Sequence, residues 1–230
     1  MFTKLRFIKR KLFSFYQLNY SGLFHLEREI IAFAAQAHNE ALVLDAGSGQ
    51  APYKKYFAHT TYENADFQKV ECRDGSYAPS TYICDLADIP VENERYDFII
   101  CTQVLEHLPE PWKVLSEFFR VLKKGGKIFL SAPLFFEEHE QPYDFYRYTQ
   151  FAWEKLLADA GFEIQTLDWL EGYYGTLGYQ FFMMSKQMPK RFWFFRFFAK
   201  FYACYFHYLD TKKKLKTGMP INYFCIATKS

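Results

Sequence analysis

The sequence contains few cysteines, and no two of them are spaced as zinc ligands. It has five, at positions 72, 84, 101, 204 and 225, without a C-x-x-C motif. The odd number and the spacing argue against a disulfide framework and against a metal site, so we predict no metal. Cys84 and Cys101 fall in apolar stretches and are expected to be reduced residues of buried strands in a cytoplasmic protein.

Internal repeats and low-complexity linkers are also missing from the sequence, and its first residues are not expected to act as a secretory signal. In the N-terminal stretch MFTKLRFIKRKLF, charges interrupt the apolar residues, which a signal peptide would keep together. A chain of 230 residues can form one domain with a sizeable core and carry an appendage.

Aromatic residues and divided charge are what the sequence has in excess. It contains 27 Phe and 18 Tyr, more than a core of this size needs. Residues 1–26 carry five Lys or Arg and no acid, and residues 186–216 carry nine Lys or Arg against one Asp. Residues 27–185 carry 13 basic and 25 acidic side chains. This division indicates that both flanks contact an anionic surface while the acidic body stays in water.

The stretch ALVLDAGSGQ, residues 41–50, organises the rest of the chain. Its apolar part lacks polar alternation, as in a strand covered on both faces of a parallel sheet. Asp45 closes this strand, and Gly47 and Gly49 allow a sharp turn in which a ligand can lie against backbone N–H groups. Asp66 follows 21 residues after Asp45. An acid at this distance usually holds a ribose diol.

Strands and helices alternate along the chain. The first four predicted strands end at or near Asp45, Asp66, Asp85 and Thr102, and later strands lie at KIFLSAP, FEIQTLDWL and INYFCIATK. Helices are predicted over residues 23–38, over VLEHLPEPWKVLSEFFRVLKKGG and, capped by Thr149, over FAWEKLLADAG. This alternation predicts an α/β fold with a doubly wound, seven-stranded, mostly parallel sheet. Its ligand is expected at the carboxyl ends of the strands, where one pocket collects the four strand-end side chains.

The predicted domain organisation follows from this pattern. Residues 1–40 form a basic N-terminal arm and first helix, and residues 41–168 with 221–230 form the sheet domain. Residues 169–220 form an aromatic and basic insertion before the last strand. This insertion is expected to contact a membrane or a partner.

Together these motifs resemble the class I S-adenosylmethionine-dependent methyltransferases, in the branch called type 11. The similarity rests on LDAGSGQ, NADF, CDLADIP, YDFIICTQVLEHLPEP, LKKGGKIFLSAP and HEQPYDFYRYT…LLADAGFE, which follow in the family's order over residues 41–168. The resemblance implies a Rossmann-like methyltransferase fold, S-adenosylmethionine as the cofactor, and an enzyme that methylates an acceptor.

The resemblance also implies which residues hold the cofactor. Cofactor-binding residues on this basis are Asp45, Gly47, Gly49, Asp66, Asp85, Leu86, Thr102 and Gln103. The first three would line the methionine part, Asp66 would bind the ribose hydroxyls, and Asp85 with Leu86 would contact the adenine. Thr102 and Gln103 would lie beside the sulfonium. The family's third glycine is Ala51 here, followed by Pro52, which is a departure from the family's pattern in this turn.

Other interpretations of the same residues stay open. Asp45 and Asp85 could cap the helices that follow, and Asp66 could be a solvated acid at a strand end. A nicotinamide enzyme would share the glycine turn and Asp66, but GSGQAP lacks the closing glycine of G-x-G-x-x-G. A DNA-amine methyltransferase needs a proline-and-aromatic tetrad after the fourth strand. TQVL stands there instead, so nucleic acid is not expected as a partner.

Methyl transfer to a hydroxyl requires an acceptor held in line and a group that takes its proton. The candidates for this group are His139, Glu140, His107 and Tyr148. His139 and Glu140 lie in the loop after the fifth strand, which in the family covers the acceptor pocket, and His139 titrates near neutral pH when unperturbed. The alternative is that these polar groups order Asp144, Arg147 and Tyr148 within the loop. No motif distinguishes O-, N- or C-methylation.

The insertion contains PKRFWFFRFFAKFYACYFHYL, residues 189–209, which we predict to be a helix. Arg196, Lys200, Ala203 and His207 would form a narrow polar stripe, with Phe and Tyr over the rest. This many charges and tyrosines argue against a membrane-spanning helix. A basic amphipathic helix in the interface of an anionic membrane fits better, with KKKLK at 212–216 adding attraction. An aromatic homodimer interface and a lid over an apolar substrate are the alternatives.

The sequence therefore predicts a cytoplasmic methyltransferase that is peripheral on the inner face of the membrane. Its acceptor is predicted to be a small or lipid-linked molecule, such as a glycan-lipid or quinone intermediate. The alternative from another class is a catalytically inactive, S-adenosylmethionine-binding scaffold or regulator at the membrane surface. The intact set of Asp45, Asp66 and Asp85 favours the enzyme.

Overall fold

The structure is a computed structural model that describes residues 21–68 and 77–230. The predicted basic arm up to residue 20 lies outside these ranges. Most of the predicted linker after Asp66, including Cys72, also lies outside them.

The described residues form one seven-stranded sheet. Its strands are β1 (Leu42–Ala46), β2 (Thr61–Asp66), β3 (Tyr82–Ile83), β4 (Tyr96–Thr102), β5 (Leu122–Pro133), β6 (Phe162–Trp169) and β7 (Asn222–Lys229). They are ordered β3-β2-β1-β4-β5-β7-β6, with parallel pairing from β3 to β5 and an antiparallel β5–β7 pair. The order reverses direction at β1, which places the strand ends of β1 and β4 at the switch point. The predicted doubly wound, mostly parallel sheet is confirmed.

Five α-helices accompany the sheet in the described part of the chain. They are α1 (Ser21–Ala34), α2 (Pro111–Val121), α3 (Gln150–Ala160), α4 (Tyr173–Gln187) and α5 (Trp193–Lys212). Short 3₁₀ turns cover Lys54–Phe57, Leu105–His107 and Lys190–Phe192. The predicted cap of α3 is confirmed, because the Thr149 hydroxyl accepts from the Ala152 N–H and Gly161 ends the helix in the left-handed conformation.

The core lies where the apolar strands meet the helices. Val43, Leu44, Ile99 and Ile100 on β1 and β4 have no exposed surface, as expected of central strands covered on both faces. Helix α3 contributes the fully buried Trp153. This packed centre fixes the carboxyl ends of β1 and β4 relative to each other.

The helix predicted between β4 and β5 is wrong at both ends. The chain forms a 3₁₀ turn at Leu105–His107, and α2 begins only at Pro111, because the residue before a proline disfavours helical backbone. At the other end α2 stops at Val121, and β5 already begins at Leu122. The pairing of β4 with β5 shifts from Tyr96↔Leu122 to Phe98↔Lys127. The predicted stop signal of two lysines and two glycines therefore lies inside an irregular strand.

The described residues form two compact units. One, the sheet unit, is Arg28–Asp168 with Asn222–Ser230; the other, the helical unit, is Trp169–Ile221 with the described residues up to Glu27. The compact units do not show which parts of the chain fold independently. The domain limits predicted from the sequence therefore stay a prediction.

The helical unit packs α4 against α5 through small residues. A Cβ on Gly178 of α4 would lie 3.1 Å from the Ala203 carbonyl oxygen of α5, so the two backbones approach closely. Ala199 and Ala203 are buried and Phe206 stacks on Phe181 of α4, whereas the other large aromatic residues of α5 are exposed. The predicted helix is confirmed, but its stripe of small and polar residues faces α4 and its aromatic face points to solvent. None of the helices that the structure describes is both long enough and apolar enough to span a membrane.

Candidate functional site

The glycine turn after β1 forms a tight loop at the carboxyl end of the strand. Gly47 has a φ of +74°, and a Cβ there would clash with the Val104 side chain. Its N–H donates to the Ala65 carbonyl oxygen at 2.8 Å, which ties the turn to the end of β2. Only glycine adopts this backbone conformation readily and also needs no space for a Cβ atom.

Gly49 is the open part of the same turn. Its φ is +52°, and a Cβ there would have no heavy atom within 4 Å. Its N–H donates to Asp66 Oδ2 at 2.8 Å, and the N–H of Gln68 donates to Oδ1 at 2.9 Å. Asp66 is thus held by two backbone donors beside open space, where its carboxylate can receive hydroxyl donors of a ligand.

Asp45 is a buried acid at the end of β1, with 3% of its surface exposed. Burial raises its pKa to about 7, against the lowering effect of a hydrogen bond from the Tyr62 hydroxyl, and the charge of Asp66 raises it further. The Tyr62 hydroxyl donates to Asp45 Oδ2. A buried carboxyl group with a raised pKa is stabilised in its ionised form by a cationic partner, because a nearby positive charge offsets the cost of ionising it.

Asp85 and Leu86 follow β3. Asp85 is exposed, and its Oδ1 accepts from the Ala87 N–H at 2.9 Å. Leu86 is buried with 4% of its surface exposed. Asp85 does not cap a helix as the alternative proposed, because a turn and then β4 follow it. Its predicted contact with an adenine amino group stays a prediction.

Thr102 and Gln103 lie at the carboxyl end of β4, next to β5. Gln103 has a φ of +56°. Its N–H donates to the Ser131 carbonyl oxygen at 2.8 Å, and its side-chain amide donates to the Ser131 hydroxyl at 3.1 Å. These bonds tie the end of β4 to β5, and on its other side β4 pairs with β1, which leads into the glycine turn.

Residues 134–148, which we term the post-β5 loop, are bonded to the segment that follows β4. The Phe145 N–H donates to the Glu106 carbonyl oxygen at 2.8 Å, and the Tyr148 hydroxyl donates to the Leu105 carbonyl oxygen at 2.8 Å. Tyr148 is buried, and burial raises its pKa. Tyr148 therefore anchors the loop and is not suited to take a proton.

The structure brings His107, His139 and Glu140 together at this contact. The rings of His107 and His139 are 4.7 Å apart, and Nε2 of His107 lies 3.6 Å from Glu140 Oε2. Nδ1 of His107 lies 2.6 Å from the Tyr143 carbonyl oxygen. A carbonyl only accepts, so this nitrogen carries the proton and Nε2 presents its lone pair.

Asp144 and Arg147 order the post-β5 loop. The Arg147 guanidinium donates to both oxygens of Asp144 at 2.6 and 2.7 Å, which holds the pKa of Asp144 well below its usual range. Asp144 Oδ2 accepts from the backbone N–H of His139 at 2.8 Å and lies 3.3 Å from the imidazole Nδ1 of the same residue. Burial and, to a smaller extent, the neighbouring imidazole of His107 lower the pKa of His139. These polar groups therefore order the post-β5 loop, as the alternative interpretation from the sequence proposed.

Sequence reasoning missed two residues of this region. Glu106 has no exposed surface, and burial raises its pKa to about 8, with Asp144 and Glu140 adding to the shift and Arg147 opposing it. Tyr62, near the start of β2, donates to Asp45. The position of Glu106 directly before His107, within a polar pair after a buried strand, was the available signal for it. No sequence signal pairs Tyr62 with Asp45, since that contact depends on the sheet register.

The arrangement has two parts. Asp45, Asp66 and the glycine turn can hold a ligand that carries a positive charge and a diol. His107, His139 and Glu140 can hold a second molecule and receive its proton.

Comparison with known proteins identifies the sheet unit. Residues 44–130 match a family model described as a methyltransferase domain. An uncharacterised protein of Methanocaldococcus jannaschii is 33% identical over 87 residues, which cover 33% of this chain and 42% of that protein. A ubiquinone biosynthesis O-methyltransferase of Pseudomonas entomophila is 28% identical over 97 residues, which cover 42% of this chain and 37% of that enzyme. The chain spans less than half the length of these curated relatives.

Solved structures share the fold. A candidate methyltransferase from Bacillus halodurans superposes with a TM-score of 0.56 at 18% identity, covering 88% of this chain and 98% of the other. Phosphoethanolamine N-methyltransferase 2 from Haemonchus contortus, in complex with S-adenosyl-L-methionine, gives a TM-score of 0.57 at 14% identity and covers 89% of this chain and 52% of the other. Residues 44–130 thus match a methyltransferase domain, as the resemblance predicted, and the solved structures share its fold.

Proposed function

We propose that this chain, which belongs to the class I S-adenosylmethionine-dependent methyltransferases through the domain at residues 44–130, methylates a small or lipid-linked acceptor at a membrane surface. The observation that carries the proposal lies in the sheet unit. There the glycine turn with Asp45 and Asp66 meets the end of β4, and the post-β5 loop is bonded to the segment that follows β4.

The residues at the ends of β1 and β2 fit the cofactor. The buried carboxyl group of Asp45 favours a cation, which the ammonium group of the cofactor's methionine part provides. Gly49 leaves space beside the backbone, and Asp66 is oriented by two N–H donors to receive the ribose hydroxyls. When bound, S-adenosylmethionine supplies a methyl carbon that its sulfonium makes electrophilic.

On the acceptor side we assign Glu140 as the group that takes the proton. It is exposed, so an acceptor can reach it, and its carboxylate lies 3.6 Å from the imidazole of His107. His107 and His139 would position the acceptor. As the acceptor's electron pair turns to the methyl carbon, the acceptor's proton passes to Glu140, which avoids a positively charged product.

The comparisons support a finer choice of acceptor. The matched Pseudomonas entomophila enzyme is named for ubiquinone biosynthesis and for transfer to oxygen. This favours a hydroxyl of a quinone-related, lipid-linked acceptor over an amine.

The helical unit supports location at a membrane. Its exposed aromatic residues include Phe192, Trp193, Phe194, Phe195, Phe197, Phe198, Phe201, Tyr202, Tyr205 and Tyr208. Residues 186–216 also carry nine basic side chains against one acid. Aromatic rings with basic side chains beside them match the interface of an anionic bilayer, where both are stabilised. A second copy of the chain would instead place like charges against each other, so we propose the membrane as the occupant of this face.

A label-transfer assay tests the function. S-adenosylmethionine with a labelled methyl group is incubated with the protein and either a membrane lipid extract or an aqueous metabolite extract, and we expect label in the lipid fraction. Glu140→Gln should lower turnover about 100-fold, with cofactor affinity changed only a few-fold. Glu138→Gln is the matched control, since Glu138 is exposed in the same loop, and it should keep the wild-type rate. Cofactor binding without label transfer to either extract would support the inactive scaffold instead.

A further inference from the structure

Glu106 is a buried acid that has no role in the methyl-transfer chemistry proposed above. It has no exposed surface, and neither carboxylate oxygen accepts a hydrogen bond from another described residue. Removing such a group from water without a partner is costly. Native proteins offset that cost with a charge partner or a bound ion.

Two imidazoles face this carboxylate. Glu106, His107 and His139 each offer a ligand atom, and these three atoms lie within 4.8 Å of one another. Nε2 of His107 is 3.8 Å from Glu106 Oε1. Ligand atoms about 2.1 Å from a tetrahedral zinc ion lie about 3.4 Å apart, so small side-chain rotations would complete a coordination shell.

Both imidazoles are oriented by groups behind them. Nδ1 of His107 donates to the Tyr143 carbonyl oxygen at 2.6 Å. Nδ1 of His139 lies 3.3 Å from both Asp144 Oδ2 and the Glu137 carbonyl oxygen. In each ring the proton therefore sits on Nδ1 and the lone pair on Nε2. Metal-binding histidines show this same pattern, in which an outer carboxylate or carbonyl fixes the tautomer.

We propose that Glu106, His107 and His139 bind a divalent first-row transition metal ion, such as Zn²⁺ or Mn²⁺. Two imidazole nitrogens suit Zn²⁺ and the carboxylate suits both Zn²⁺ and Mn²⁺, whereas Mg²⁺ and Ca²⁺ prefer shells made wholly of oxygen. Three protein ligands leave a coordination position open, as in catalytic rather than structural sites. This site revises the prediction from sequence that the chain holds no metal, because that prediction considered only cysteine spacing.

The metal site would add a catalytic role to the proposed function, and that role rests on the proposed function. An acceptor hydroxyl bound in the open position would lose its proton more readily, because the ion stabilises the oxygen anion. The proton passes to Glu140, and the acceptor oxygen then forms the new bond to the methyl carbon. The carbon–sulfur bond breaks with its electron pair on sulfur, so charge and atoms balance. Binding of the metal itself does not depend on this role.

Calorimetry of the full chain after treatment with a chelator tests the site. ZnCl₂ and MnCl₂ are titrated separately, with MgCl₂ as the comparison. We expect one Zn²⁺ or Mn²⁺ per chain and much weaker binding of Mg²⁺. Loss of an outer-shell partner in metal sites costs about 10–100-fold in affinity, so Glu106→Gln and His139→Ala, which remove direct ligands, should each weaken binding at least that much.

The controls separate this inference from the proposed function. His38→Ala removes an exposed histidine far along the chain from the cluster and should bind metal like the wild type. Each variant is also titrated with S-adenosylmethionine, and retained binding shows that it is folded. Absence of metal binding at millimolar Zn²⁺ and Mn²⁺, in protein that still binds the cofactor, would overturn the site and leave the methyltransferase intact. Unchanged metal affinity in both Glu106→Gln and His139→Ala would overturn the ligand assignment.

Discussion

The carboxylates at the ends of β1 and β2 lie close along the sheet but differ in their surroundings. Asp45 is enclosed, with Tyr62 as its donor, whereas Asp66 is oriented by backbone N–H groups next to open space. The first arrangement favours a charge partner and the second favours hydroxyl donors. Each difference leads to a separate measurement.

Asp66→Ala should weaken the binding of S-adenosylmethionine. In the proposed site the change would remove the acceptor of two charge-assisted hydrogen bonds from the ribose, which should cost roughly 1.5–3 kcal/mol, or about tenfold or more in affinity. Calorimetric titration measures it. Asp159→Ala, which removes an exposed acid paired with Lys155 on α3, serves as the control. Equal affinity in wild type and Asp66→Ala would contradict the ribose assignment.

The affinity for S-adenosylmethionine should depend on pH through Asp45. Its pKa is raised to about 7 by burial, and a bound cation favours the ionised form. The affinity should therefore rise about tenfold between pH 6 and pH 8, with release of a proton on binding below pH 7. Titrations in buffers of different ionisation enthalpy measure both quantities.

Without the cofactor, the same group makes the folding stability decrease, rather than increase, as the pH rises. A carboxyl group whose pKa is raised from 3.8 to about 7 on folding contributes stability below pH 4 that is lost as the pH rises through about 7. Asp45→Asn should remove both dependences on pH. A wild-type affinity that is the same at pH 6 and pH 8 would rule out Asp45 as the cation partner.

Which residues the sequence could locate depended on how local their signals are. The strand ends at Asp45 and Asp66 and the cap at Thr149 follow from short patterns of apolar residues, glycines and capping side chains. Glu106 could not be recognised as buried and unpaired, because that property arises from the fold of the post-β5 loop over the segment after β4. The contact of Tyr62 with Asp45 depends likewise on sheet register.

At the scale of elements, the post-β5 loop is fixed by backbone hydrogen bonds. The Glu106 carbonyl oxygen accepts from the N–H groups of Phe145 and Tyr146, at 2.8 and 3.2 Å. These bonds explain why His107 from one segment and His139 from another share a site. The sequence placed both near strand ends, but the pairing of the two segments is a long-range property.

Gly172→Ala should destabilise the start of α4. The Gly172 N–H donates to both Asp210 oxygens at 3.1 Å, and a Cβ would lie 2.7 Å from Asp210 Oδ1 and 2.7 Å from the Leu215 backbone nitrogen. Overpacking of this kind costs about 1–3 kcal/mol. Thermal unfolding should show a lower midpoint, while Gln180→Ala, an exposed position on the same helix, should not. An unchanged midpoint for Gly172→Ala would mean that α4 and α5 are not tied through Asp210.

Helix α4 itself escaped prediction for a physical reason. Its sequence YYGTLGYQFFMMSKQ contains two glycines and no clear apolar stripe. Helices of this composition are formed by packing, here against the small face of α5, and not by intrinsic propensity. The same packing turned the aromatic face of α5 outward, which the stripe in the sequence alone could not decide.

At the scale of the whole molecule, charge divides along the chain. The basic residues of 186–216 belong to the helical unit, and the acidic excess of residues 27–185 belongs mostly to the sheet unit. A protein with this division should associate with anionic membranes through the helical unit. Charge and burial should contribute separately to that association.

Vesicle co-sedimentation should separate the two contributions. Changing Lys212, Lys213 and Lys216 to Gln removes three exposed charges, each worth about 1 kcal/mol near an anionic surface, so binding should weaken as it does at high salt. Changing Phe197, Phe198 and Phe201 to Ser should release the protein at any salt concentration. The charge control changes Lys54, Lys55 and Lys124 to Gln, and the aromatic control is Phe151→Ser, all at exposed positions of the sheet unit.

Both controls should sediment like the wild type. Light scattering on the same samples tests the dimer alternative, in which the phenylalanine changes would yield a monomer and lipid would have no effect. Wild-type protein that stays in the supernatant with anionic vesicles at low salt would end the membrane proposal without touching the methyltransferase domain.

We expect the ends of β1, β2 and β4 to form the site for S-adenosylmethionine. Calorimetric titration of the full chain with this cofactor, run at two temperatures so that a vanishing heat at one of them is not mistaken for no binding, tests it most directly. We expect saturable binding of one cofactor per chain, weakened by Asp66→Ala and insensitive to Glu138→Gln. A folded wild-type chain that shows no binding heat at either temperature would contradict it.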